Sequence, residues 1–163
     1  MPLFLSLYAF GLIGFFIHGA SLPKSVRGRK TLVELFLLYQ LVFSVGCTSL
    51  MAFFGLTFLP DYIAQITEWP PCPFEQQLAN VNLAFGVLGI LSIWFRDSFW
   101  MATIIGFSIW ILSDGIQHLY HAMMRGNYST GNVGVPLYTD IFIPLLLLAL
   151  LITYRKQRSS NHS

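Results

Sequence analysis

The sequence predicts an all-α membrane protein, a polytopic transmembrane bundle of about five helices with its N-terminus out and its C-terminus in. Three observations carry that expectation. The 163 residues are 55% hydrophobic and only 10% charged, with a mean hydropathy of +0.66. A soluble domain carries about 25% charged residues. The apolar residues gather in continuous runs close to the roughly 20 residues that cross a bilayer. All the basic residues but Arg125, which stands alone on the other side, fall in alternate connections or in the tail.

The first run covers about residues 2–20. It opens MPLFLSLYAF, without the basic n-region of a cleaved leader, and is expected to stay as a helix. The second, about 32–59, is long enough to tilt or to project from the bilayer. The third, fourth and fifth cover about 77–95, 99–121 and 138–154. Lipid admits only helices or closed barrels, because unpaired backbone groups are too costly there. Continuous rather than alternating apolar runs favour helices. Without an internal repeat or linker, residues 1–163 read as a single membrane domain. The connection from about Pro60 to Gln76 reads as a loop, stiffened at EWPPCPF by its prolines. RGNYSTGNVGVP reads as turns.

Lys24, Arg27, Arg29 and Lys30 lie in the first connection, Arg96 in the third turn, and Arg155, Lys156 and Arg158 in the tail. Five spans put all of them on one side, and basic short loops mark that side as cytoplasmic. The expected location is a cell membrane, multi-pass, of the bacterial inner-membrane kind. Membrane lipids are the expected partners, with a homo-oligomer or a larger membrane complex left open. A net charge of +2 and no nucleic-acid motif exclude nucleic acid. Cys47 and Cys72 stand in an apolar run and a loop, which is no disulfide scaffold.

Ionisable groups inside a membrane are costly and mark candidate sites. Asp114, His118 and His121 stand at i, i+4 and i+7, on one helix face, about 22 Å along the fourth span for Asp114. Asp140 opens the fifth span from the same outer side, and Glu75 and Asn82 share a face of the third. These six are expected to meet in an outer pocket. Trp69, Gln76 and Asn132 join Glu75, Asn82 and Asp140 as ligand-binding candidates. The cluster admits three chemistries. Its polar groups fasten helices together. Asp114, His118 and His121 bind a metal or a haem iron. Asp114 and His118 form a catalytic acid/base pair.

The inner level is sparser. His18, Glu34, Arg96 and Asp97 lie near the cytoplasmic headgroups, and Glu34 is placed to pair with Lys30 one turn earlier. Gln40, Ser44 and Cys47 mark a helix-facing side of the second span. Asn127-Tyr128-Ser129 is a glycosylation acceptor only where the host glycosylates the outer face.

From Glu34 to Leu151 the chain carries, in order, ELFLLYQLVFSVG, Trp69-Pro70, Pro73-Phe74-x-Gln76, LANVNLAFGVLGILS and Gly131-Asn132-x-Gly134. In these features it resembles an uncharacterised group of small bacterial membrane proteins, known only as a domain of unknown function. The resemblance implies a membrane location and a shared outer-face motif, and it implies no activity. Three functions stay open: a membrane protein binding a metal or a hydrophobic ligand in the outer pocket, an accessory or assembly subunit, and a membrane enzyme using His118 and Asp114 on a lipid or isoprenoid.

Overall fold

The structure is a computed structural model that describes residues 2–159. Met1 and residues 160–163 lie outside the described residues. Six helices form among the described residues, and no strand. They are α1 (Pro2–Ser21), α2 (Arg29–Phe58), α3 (Pro60–Thr67), α4 (Glu75–Leu91), α5 (Ser98–Arg125) and α6 (Val135–Ser159). The expected all-α bundle is therefore what forms. Four of these helices, α1, α2, α5 and α6, are long and apolar enough to cross a membrane. The 17 residues of α4 extend about 26 Å, slightly less than the roughly 30 Å of a hydrocarbon core.

α2 is the central helix. α1 lies against its middle, where Gly11 faces Phe43 and Gly14 faces Tyr39. α4 lies along its second half, and α6 along its first turns. α5 pairs lengthwise with α6. Leu37, Leu41, Val45, Trp100, Ile104, Phe107, Leu147 and Leu151 fill the core between them. Outward the bundle presents Phe16, Ile17, Phe54, Ile109, Phe142 and Ile152, all exposed. Apolar surface of that extent is at home in lipid and ill-suited to water.

Inside α2, Gln40–Cys47 is a π-helix, with hydrogen bonds one residue longer than in the flanking turns. Gln40 and Ser44, the polar residues of this segment's inner face, are buried. The Ser44 hydroxyl donates to Gln40 Oε1 at 2.7 Å, and the Thr48 hydroxyl donates to the Ser44 carbonyl at 2.9 Å. These bonds satisfy the two hydroxyls within α2 itself. Cys47 and Cys72 are both free thiols.

The basic clusters meet at one end of the bundle. Arg96 Nη1 lies 3.4 Å from Glu34 Oε1, and its guanidinium sits 4.8 Å over the Trp100 ring. Asp97 pairs with Arg158 and accepts a bond from the Tyr154 hydroxyl at 2.9 Å. Glu34 thus pairs with Arg96 and not with Lys30, because the turn between α4 and α5 folds back over the start of α2. Both partners are 39% exposed, so the pair contributes little stability.

Several helix limits differ from the expected ones. The connection from Pro60 to Gln76 contains α3, which its sequence favours locally. Pro60 supplies a preset φ at the first helical position, and Asp61 adds a negative charge near the helix N-terminus. α4 stops at Leu91 rather than near 95, and tight turns bring the chain to Asp97, whose φ is +57°. α5 runs one turn beyond His121 and ends at Gly126, in the left-handed conformation (φ +66°) that glycine adopts without strain. α6 is longer than expected at both ends.

Candidate functional site

At the other end of the bundle the loop 126–134 folds back onto the end of α3. Gly131 N–H donates to the Ile66 carbonyl at 3.1 Å. A Cβ at Gly131 would overlap that carbonyl, so only glycine permits the approach. The Asn127 amide and the Ser129 hydroxyl both donate to the Thr67 carbonyl, at 2.8 and 2.9 Å. Asn127 is 8% exposed. Its amide nitrogen is therefore held inside the fold and not presented for glycosylation, which corrects the tripeptide reading.

The docked loop delivers Asn132, fully buried, behind His118. Its amide nitrogen donates to the His118 carbonyl at 3.1 Å and to the Asn127 carbonyl at 2.8 Å. Those two carbonyls decide which end of the amide is oxygen. The oxygen then faces Trp69 Nε1, which donates at 3.1 Å, and His118 Nδ1 at 2.9 Å. A carbonyl only accepts, so His118 Nδ1 carries the hydrogen. In the neutral imidazole this leaves the lone pair on Nε2.

His118 Nε2 lies 3.6 Å from Asp140 Oδ2. Asp140 comes this close because α5 has Gly115 at the crossing, where a Cβ would stand 3.3 Å from the Asp140 Cβ. Asp114, one turn before His118, completes the group. One ligand atom from each of Asp114, His118 and Asp140 lies within 4.8 Å of the others. Pro144 lacks an N–H, so the helical bond that would end on the Asp140 carbonyl is not made.

The group sits on the wall of a chamber of about 230 Å³. Trp69, Glu75 and Asn82 line the same chamber. Most of the remaining wall is apolar, with Leu56, Ile63, Leu78, Phe107, Ile111 and Ile143 among its residues, and no Lys or Arg among the described residues lines it. Glu75 Oε1 accepts the Cys72 N–H at 3.3 Å, and the Asn82 amide donates to the Leu78 carbonyl at 3.0 Å. Gln76 is exposed and donates to Asn80 Oδ1 at 3.2 Å, away from the wall. His121 stands apart from the three-residue group, its ring stacked on Trp69 with centroids 4.5 Å apart.

Trp69, Gly131 and Asn132, residues of the motifs quoted from the sequence, thus belong to one device that orients His118. Residues 1–160 match the family described as "Family of unknown function (DUF6790)". The chain belongs to DUF6790. No curated protein and no solved structure matches it.

Two residues of this DUF6790 chamber and the helix crossing at Gly115 escaped the sequence reading. Tyr8 of α1 and Thr139 of α6 both line it. A hydroxyl in the mostly apolar first run, which also holds Ser6 and His18, was the available signal for Tyr8. Gly115 was visible between Asp114 and His118, but nothing in the sequence says which helix crosses there.

Trp69→Phe is expected to keep a ring against His121 while losing the indole N–H that Asn132 accepts. One neutral hydrogen bond contributes about 1 kcal/mol. Thermal unfolding of the detergent-purified DUF6790 protein measures it, and an unchanged melting temperature would show that this bond adds nothing.

Proposed function

We propose that this DUF6790 protein is a multi-pass cell-membrane protein that binds a small apolar-bodied ligand in its chamber, with the Asp114–His118–Asp140 group as polar anchor. The chamber carries the proposal: its wall is largely apolar, with a few convergent polar groups. Ligand sites have that composition. Its volume of about 230 Å³ is below the roughly 300 Å³ where pockets for drug-sized ligands begin. The ligand is therefore small, or is the head of a longer lipid or isoprenoid whose chain stays in the bilayer. Helices apolar enough for lipid surround the chamber, which supports delivery from the membrane.

The basic end supports a cytoplasmic placement for Arg29, Arg96 and Arg158, and hence an outward chamber and an outside N-terminus. α4 runs from the chamber at Glu75 to the basic end at Leu91, which supports a fifth crossing. A bacterial inner membrane fits this arrangement.

The test is photolabelling in liposomes with a diazirine-bearing short isoprenol, followed by mass mapping. Adducts are expected on Leu56, Ile63 or Phe107 in the natural protein, and should fall sharply in Ala52→Trp, which fills the chamber. Adducts confined to the lipid-facing Phe16, Ile109 and Phe142, equal in both proteins, would sink the proposal.

A further inference from the structure

We propose that Asp114, His118 and Asp140 bind a single divalent first-row transition-metal ion at the flank of the chamber. The inference rests on these three side chains and their support, and it stands whether or not the chamber takes an apolar ligand.

Geometry comes first. The three donor atoms lie within 4.8 Å of one another, and His118 Nε2 is 3.6 Å from Asp140 Oδ2. Donors about 2.1 Å from a tetrahedral ion are about 3.4 Å apart. The group is therefore open by at most about 1.4 Å at its widest pair, a gap that small carboxylate rotations close. Asp114 and His118 sit one turn apart on α5, and Asp140 comes from α6 across Gly115. Two packed helices thus hold the donors in place before any ion arrives.

The imidazole is presented the right way round. Asn132 fixes the hydrogen on Nδ1 and leaves the Nε2 lone pair towards the carboxylates. Metal-bound histidines characteristically donate their second ring N–H to such an acceptor, which sets tautomer and ring angle. A buried imidazole N–H needs an acceptor in any role, and here that acceptor also decides which nitrogen faces the carboxylates.

Charge points the same way. Asp114, Asp140 and Glu75 all line a chamber that no Lys or Arg among the described residues lines. The side chains of His118 and Asp140 are 8% and 14% exposed. Unpaired charge at such depth is costly, and a divalent cation offsets it directly. One nitrogen and two oxygen donors suit Zn²⁺, Fe²⁺, Co²⁺ or Mn²⁺ better than the soft Cu⁺. Three protein donors leave at least one position for water or a ligand atom, and the chamber has the space for it.

The protein, purified in detergent behind a non-histidine affinity tag, is stripped with EDTA and titrated with Zn²⁺ and, separately, with Co²⁺. Elemental analysis reads the bound ion, and visible ligand-field bands report the Co²⁺ surroundings. Stoichiometric uptake is expected in the natural protein. Asp140→Asn is nearly isosteric, so its fold should survive, as size exclusion and melting will check. Its affinity is expected to fall by about tenfold or more, and Asp114→Asn and His118→Ala should behave alike. His121→Ala should bind as the natural protein does, because that ring is stacked on Trp69. The inference is overturned if the folded natural protein takes up no ion above background. It is equally overturned if Asp140→Asn binds as tightly as its parent, or if His121→Ala loses the ion to the same degree. Photolabelling of the stripped protein reads the chamber separately, so the two proposals fail independently.

Discussion

Asn132→Ala is expected to lower the melting temperature of the detergent-purified protein by about 10 °C, the larger of two strong effects. Asn132 is fully buried and makes every hydrogen bond its amide allows. Truncation strands four partners at once: the carbonyls of His118 and Asn127, the indole N–H of Trp69 and His118 Nδ1. A buried polar group left without its partner costs about 1–3 kcal/mol. The partners relax together, so the sum is smaller than four separate losses, roughly 3 kcal/mol in all. At about 2–4 °C per kcal/mol for a chain of this size, that is the shift stated. Asn132→Asp keeps the acceptor but turns a buried carboxylate oxygen toward the carbonyls of His118 and Asn127, and should melt no higher than Asn132→Ala. Limited proteolysis offers a second readout, because the loop 126–134 is tied to Thr67 through Asn127 and Ser129. A variant that melts with its parent would mean that the amide supports nothing.

Gly89→Ala is expected to destabilise the bundle by about 1–3 kcal/mol, the usual range for overpacking. A methyl at Gly89 meets backbone and not side chain. It would overlap the amide nitrogen and Cα of Gly46 and stand 2.7 Å from the Leu41 carbonyl oxygen. Backbone has no rotamer to change, so α2 and α4 must move apart. The contact lies on the π-helical stretch of α2. Small residues that let backbones touch are a principal source of helix association in lipid. Gly86→Ala is the matched control. Its nearest obstacle is the Leu50 side chain, with the Leu50 nitrogen at 3.1 Å, and a side chain can yield. The Gly89 variant should therefore melt below the Gly86 variant. The reverse order would contradict the backbone contact.

Much of the bundle was legible in the sequence because it is encoded locally. A run of apolar residues long enough for lipid forms a helix whatever its neighbours are, since the backbone has no other way to satisfy itself there. Gly86 and Gly89, three residues apart on α4, both meet the backbone or side chains of α2. α3 was missed because the two prolines after Trp69 dominated the reading of its surroundings, while Pro60 and Asp61 open a short helix unaided. Glu34 was assigned to the nearest lysine in sequence, and the tertiary turn gave it Arg96 instead.

The polar site divides along the same line. Helical period alone puts Asp114 and His118 on one face, one turn apart, because 3.6 residues per turn is a property of the backbone. It puts His121 on that face too. Which residue completes the group is a question about the neighbouring helix, and periodicity within α5 holds no information on it. The rotation of α6 against α5 comes from side-chain packing and from the clearance at Gly115, and it brings Asp140 beside His118. His121, one turn further on, meets Trp69 because α3 and the loop 126–134 close over that end of α5. The sequence by itself determined the five longer helices, their order and the one end that gathers most of the basic residues. Tertiary structure alone decided which polar side chains share the chamber and which nitrogen of His118 faces it, because those follow from contacts between residues far apart in the chain.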